Sequence, residues 1–141
     1  MSIEVWDIVD ENGVPTGRTA IRGRCMLKSG EYHLVVHIWI VSPDGKFLIQ
    51  RRADSKKLMP GEWAATGGAA IAGENSFAAA GRELFEELGI RSDKDKLIKL
   101  ARIKRRNSIL DIWVITSELP AERLVLQRSE VADSKWVTEA E

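Results

Sequence analysis

A chain of 141 residues, 44% hydrophobic and 30% charged, has the length of one domain and enough apolar content for a core, which argues against wholesale disorder and against a second domain. Lysine plus arginine total 21 and aspartate plus glutamate total 21, so no overall field draws the chain to a nucleic-acid polymer or an anionic membrane. Any anionic ligand has to be held locally.

The opening "MSIEVWDIVD" is acidic and strand-like and lacks the basic segment and apolar run of a secretory signal. The longest apolar stretch, Leu34 to Val41, is interrupted by His37 and falls far short of the roughly 20 residues that span a bilayer. Cys25 is the only cysteine, so no disulfide can form within the chain, and it reads as a small buried or partly buried thiol. The expectation is a cytoplasmic protein forming one domain over residues 1–141.

"VWDIVD", "ENG" and "VPTGRTAI" predict an N-terminal hairpin or extended arm turning at Asn12-Gly13, and Arg22 to Gly30 reads as a short helix or loop. "YHLVVHIWIV" is a nearly unbroken apolar run rich in β-branched residues, which predicts a central strand covered on both faces; "PDG" at Pro43 to Gly45 turns it into "KFLIQRR". A loop then leads to a short segment at Trp63 to Thr66 and on to Gly67 and Gly68. Asn75 or Ser76 can cap a helix running to about Leu88, where Gly89 stops it. "KLIKLARI", "SILDIWVIT" and "LVLQ" predict further strands, with another at Trp136 and Val137.

On a helical wheel Phe77, Gly81, Leu84 and Leu88 form the buried stripe, and Glu83, Glu86 and Glu87 occupy a separate arc of about 100°. Their i, i+3, i+4 spacing lets the carboxylates converge, and it suits a solvated face as well as a metal site. Three like charges repel, so a cation would relieve them: Arg82 supplies one, and a hard divalent ion that prefers carboxylate oxygen could supply the rest.

The surroundings decide between the two. From Gly68 the chain reads "GAAIAGENSFAAAGRELFEELGI", with Glu74, Arg82-Glu83-Leu84, Glu86-Glu87 and Gly89-Ile90 at fixed intervals. This matches every constrained position of GX5EX7REUXEEXGU, with U aliphatic, and so resembles the Nudix hydrolases, with the Nudix box at 68–90. The resemblance implies a Nudix fold: an α/β/α sandwich with a mixed β-sheet and, here, an N-terminal β-hairpin arm. It implies Mg²⁺ or Mn²⁺, held by Glu86 and Glu87, with Glu83 as ligand or general base and Arg82 orienting the carboxylates. Glu74 would support the loop or a second metal, and the Gly68 carbonyl could complete the shell. Glu130, in "SEVADSKW", is the second candidate for the base.

The region "YHLVVHIWIVSPDGKFLIQRRADSKKLMPGEW" resembles the isopentenyl-diphosphate isomerases and the hydrolases related to them. Isomerase activity is disfavoured, because Gly67 or Gly68 stands where those enzymes carry a catalytic cysteine and alanine replaces a metal-binding histidine. His33 aligns with another of their metal-binding histidines, but without its companions it and His37 read as structural or substrate-contact residues. Arg51 and Arg52 are candidate phosphate ligands beside Lys56 and Lys57, whereas "RIKRR" at Arg102 to Arg106 reads as a solvated run that could instead clamp a phosphate. Trp39 or Trp113 could stack on a base but read more simply as core, and Trp63 as a packing anchor.

The expected reaction is metal-dependent hydrolysis of a small-molecule substrate in which a nucleoside diphosphate is linked to another moiety. The competing readings are an isomerase and a non-catalytic nucleotide-sensing module, which would be expected to have lost box carboxylates. The chain stops at "WVTEAE", where related sequences usually enter a closing C-terminal helix, so either that helix is absent here or the chain was shortened, and a partner subunit in a homodimer could cover the exposed sheet face.

Overall fold

The computed structural model describes residues 4–23, 27–54, 61–91, 96–117, 126–127 and 131–138. An arm of two antiparallel strands, β1 (Val5–Val9) and β2 (Pro15–Ile21), precedes a mixed seven-stranded sheet. That sheet comprises β3 (His33–Val41), β4 (Phe47–Arg52), β5 (Trp63–Ala64), β6 (Thr66–Ala69), β7 (Ile98–Lys104), β8 (Ser108–Thr116) and β9 (Val131–Val137), and the helix α1 (Ser76–Leu88) packs on one face. The arm turns where the sequence predicts it to: Asp10 Oδ1 accepts from the Asn12 and Val14 amides, and Gly13 takes φ 79°, a left-handed value that glycine adopts without a steric penalty.

β3 is the sheet centre. One edge runs parallel to β8 from His33↔Ser108 to Val41↔Thr116. The other edge forks: Val35 to Ile38 pair with β6, while only Ile40 and Val41 pair with β4, which then diverges and pairs with β5 and β9. β7 forms the far edge beside β8.

Burial along β3 alternates. Leu34, Val36, Ile38 and Ile40 are buried and meet Ile109, Trp113 and Ile115 of β8 and Ala79, Ala80, Leu84 and Leu88 of α1. Removing a large side chain from this contact, as in Leu84→Ala, should cost about 2–5 kcal/mol. His33, Val35 and His37 on the other face are only half-buried and Trp39 is exposed. The expected strand covered on both faces is therefore a strand covered on one, and among the described residues α1 is the only helix, so the second helical layer of the expected sandwich is not among them.

α1 begins where Asn75 Oδ1 accepts from the Ala78 amide at 2.8 Å and ends at Gly89, which sits at φ 71° and donates its amide to the Phe85 carbonyl. Its buried residues are Ala79, Ala80, Leu84, Glu87 and Leu88. The expected stripe shifts accordingly: Gly81 and Phe77 fall at its margin, and Ala79 and Ala80 join Leu84 and Leu88 on the face that packs on β3 and β6. Of "LVLQ", Leu126 and Gln127 lie outside any strand, and Leu124 and Val125 lie outside the described residues.

Candidate active site

Glu83 and Glu87 are about 40° apart on the helical wheel, inside the arc of α1 that faces the sheet rather than on a separate solvated arc. Beneath them runs β6, "TGGA", so the glycines expected after a short strand are themselves part of one. A Cβ on Gly68 would stand 2.6 Å from Glu83 Oε1, and a Cβ on Gly67 would stand 2.4 Å from the Val36 carbonyl. One glycine admits the carboxylate to the sheet; its neighbour admits the close backbone approach of β6 to β3.

Glu87 is 5% exposed. Its Oε2 accepts from Gln50 Nε2 at 3.1 Å, its Oε1 accepts from the Gly67 amide at 3.2 Å, and Thr66 Oγ1 donates to Gln50 Oε1 at 3.0 Å. Burial, reinforced by the adjacent Glu87 charge, pushes the Glu83 carboxyl up to about 8 despite the opposing Arg82 guanidinium.

Arg82 organises the outer side. Nε donates to Glu74 Oε2 at 2.7 Å, and Nη2 donates to Glu74 Oε1 at 3.1 Å and to the Ala69 carbonyl at 3.1 Å. Nη1 is shared between Glu83 Oε1 at 3.0 Å and Glu86 Oε2 at 3.2 Å. Glu86 is thereby turned outward and Glu83 and Glu87 inward; among the described residues no three histidine, cysteine, aspartate or glutamate side chains converge on one point.

A second buried carboxylate lies at the other end of the helix. Asp111 of β8 is fully buried and accepts from Arg102 Nε at 2.6 Å and Nη2 at 2.8 Å, with Lys99 Nζ 3.3 Å away. Burial raises its carboxyl, but hydrogen bonds from Arg102 and Ser76 and the Lys99 charge outweigh this and hold it below the usual range.

Residues 31–141 match the family model described as the NUDIX domain. The chain belongs to the Nudix hydrolase family. Hydrolysis of diphosphate bonds is therefore its chemistry. It is 40% identical over 140 residues to an uncharacterized Nudix hydrolase of Listeria monocytogenes, covering 99% of this chain and 82% of the relative. An isopentenyl-diphosphate Delta-isomerase of Streptomyces coelicolor is 41% identical, but over 85 residues, 60% of this chain and 43% of the isomerase. A crystal structure of a Deinococcus radiodurans protein superposes with a TM-score of 0.78 at 24% identity, covering 96% of this chain and 83% of that one, which establishes the likeness of fold.

Within the Nudix box, then, Gly68, Glu83 and Glu87 come together, Arg82 joins Glu74 to Glu83 and Glu86, and Glu74 uses both oxygens to hold Arg82 and the Ile71 amide. By strand alternation Arg52 shares the Gln50 face of β4, whereas Arg51 lies on the opposite face, with Nη1 3.4 Å from Asp54. Glu130, Lys56, Lys57 and Cys25 lie outside the described residues. Gln50 and Thr66 were not anticipated from sequence. The available signal was a polar residue at the inward parity of "FLIQRR", where Leu48 precedes it by two.

Two further expectations change. The run from Arg102 to Arg106 is exposed as expected, but the Arg102 guanidinium is also bound to Asp111 and, through Nη1, to the Asn12 carbonyl at 2.7 Å, which leaves it no phosphate clamp. Trp63 is not a packing anchor: it is 37% exposed, with Lys135 Nζ 4.5 Å above its ring. Trp113 is core, edge-on to Phe77, and donates to Ser76 Oγ. His33 stacks on Trp6 with ring centroids 3.9 Å apart, and burial, with Arg105 and Arg22 adding to it, lowers its pKa to about 4. His37 is lowered by burial and by Arg105. Both are neutral near pH 7, in keeping with structural or substrate-contact roles.

Proposed function

We propose that this Nudix hydrolase cleaves the diphosphate of a nucleoside diphosphate linked to another moiety, with Mg²⁺ or Mn²⁺ as cofactor, releasing a nucleoside monophosphate or a phosphorylated form of the other moiety. The observation that carries the reading is the Glu83–Glu87 pair, two carboxylates pressed together in a poorly solvated site until one is driven up to about 8. Such a pair suits a hard divalent cation, which takes carboxylate oxygen and offsets the repulsion. When bound, the ion would polarise phosphoryl oxygen and assist formation of the attacking hydroxide.

The protein's own groups divide the remaining work. Glu86 and Glu87 are the proposed principal ligands, with the Gly68 carbonyl beside them, and Glu83 is ligand or general base. A general base must lie within reach of the water it deprotonates, and Glu83, held beside Glu86 by Arg82 within the box, is ranked ahead of Glu130 for accepting that proton. Arg82 orients Glu83 and Glu86, Glu74 anchors Arg82, and Arg52, with Arg51 behind it, supplies charge for the substrate's phosphates.

The partial likeness to isomerases supports a second reading, against which β6 speaks. A cysteine at position 67 would meet a backbone carbonyl, and one at 68 would meet a carboxylate that Arg82 holds in place. The test is product release from nucleoside triphosphates, dinucleotide polyphosphates, nucleotide sugars and isoprenoid diphosphates, with and without Mg²⁺. Metal-dependent hydrolysis of a nucleotide derivative that collapses in Glu86→Gln is expected. Absence of metal-dependent turnover, or full activity in that variant, would overturn the assignment, and isomerised isopentenyl diphosphate would install the second reading instead.

A further inference from the structure

The box loop between β6 and α1 is held from outside the box. Its amides are committed one by one: Ala70 to the Leu34 carbonyl at 2.9 Å, Ile71 to Glu74 Oε1 at 2.9 Å and Glu74 to the Ile71 carbonyl at 3.0 Å. The two between belong to the N-terminal arm, Ala72 donating to the Val5 carbonyl at 2.7 Å and Gly73 donating to Asp7 Oδ2 at 2.8 Å. Gly73 takes φ 90°, and nothing lies within 4 Å of where its Cβ would be, so the hydrogen bond at its amide, not packing, sets its place. A cavity of about 400 Å³ undercuts this stretch, with Asp7, Leu34, Ile71 and Glu74 in its wall. The loop therefore borders this cavity and is tied to the arm beside it.

The next residue is Glu74, which holds Arg82 through both carboxylate oxygens, and Arg82 in turn holds Glu83 and Glu86. We propose that Asp7 is a positioning residue for the hydrolytic reaction, fixing the Gly73 amide and thereby the Glu74–Arg82 pair that aims the box carboxylates. Asp7 reaches none of the reacting groups itself. Its carboxylate accepts a charge-assisted bond from the Gly73 amide, next to the backbone bond from the Ala72 amide to the Val5 carbonyl of the same arm. The inference rests on the hydrolase reading for its kinetic consequence alone.

The experiment compares Asp7→Ala, Asp7→Asn and Thr16→Val. Thr16 Oγ1 donates to the Ile8 carbonyl at 2.8 Å, so its loss loosens the arm without touching the loop. Asp7→Ala should speed hydrogen exchange at the Gly73 and Glu74 amides and weaken Mn²⁺ binding in a calorimetric titration. It should lower kcat by roughly 10-fold, the lower end for partners that orient a metal's ligands, with KM little changed. Asp7→Asn keeps an acceptor oxygen and should recover most of the loss. Thr16→Val should lower the melting temperature yet leave Mn²⁺ affinity and kcat at wild-type values. Unchanged exchange and Mn²⁺ affinity in Asp7→Ala, or an equal loss in Thr16→Val, would overturn the proposal. Wild-type protein without hydrolytic activity would instead sink the functional reading, while exchange and Mn²⁺ titration still decide the role of Asp7.

Discussion

The two ends of α1 each hold a buried carboxylate centre, and they are built in opposite ways. Around Asp111 every oxygen meets a cation or a donor, Arg102 in a fork and Lys99 behind it, and the carboxyl is held below its usual range. Around Glu83 and Glu87 two acids lie side by side; Glu87 accepts from Gln50 and the Gly67 amide, the Arg82 guanidinium on Glu83 is shared with Glu74 and Glu86, and burial with the Glu87 charge raises the Glu83 carboxyl to about 8. Both centres are buried acids on or beside one helix. Compensation by cations, not burial, separates the Asp111 carboxyl, held low, from the Glu83 carboxyl, pushed up.

The largest test of this contrast is removal of one charge at each centre. Glu83→Gln should lower kcat by about 10²–10⁴-fold, the usual worth of a general base, while the metal-free protein becomes no less stable, because the neutral amide replaces a carboxyl that burial already forces to keep its proton. Stopped assays and melting curves on one preparation measure both. Asp111→Asn should do the reverse, leaving kcat of the folded enzyme within about two-fold while costing less than the roughly 3–5 kcal/mol of a fully buried pair, since Arg102 is partly exposed. Urea titration measures that loss, and a stability unchanged within error would break the comparison.

How much of this was readable beforehand follows the same division. The box pattern, through its resemblance to the Nudix hydrolases, singled out Glu83, Glu86, Glu87 and Arg82, which the fold gathers on and beside one helix. The arm, the helix limits at Asn75 and Gly89 and the central strand β3 were legible from turn chemistry, capping residues and apolar runs. What could not be read was any partnership between elements far apart in the chain. Arg102 looked like one charge in a basic run because Asp111 lies nine residues away in a strand that reads as apolar. Gln50 looked incidental because β6, which brings Thr66 and Gly67 to it, pairs with β3 only through the fork.

Protonation separates the centres with a smaller effect. The Glu83 carboxyl lies near 8 in the folded chain against an ordinary 4.5, so between those values the folded state keeps a proton that the unfolded state has lost. Stability of the metal-free protein should therefore fall as pH rises from about 4.5 to about 8, and the slope should vanish in Glu83→Gln. Asp111 has the opposite sign: its contribution is complete above its ordinary 3.8 and is lost as pH falls through the lower folded value. Thermal melts from pH 3 to 8.5 in chelator, about the range these values span, distinguish the two limbs. The smallest effect is expected from Asn75→Ala, which removes the helix cap at the Asp111 end and should cost about 1 kcal/mol with Mn²⁺ affinity intact.

The fork in β3 sets how far the two strands that leave it can shift. β6 and β4 leave the same edge of one strand, and Gln50 and Thr66 join them by a side-chain hydrogen bond. Strands separated by diverging backbone ladders cannot be drawn together by side-chain repacking, because that would require breaking strand pairs. Gln50 therefore presents its amide to Glu87 from a fixed frame.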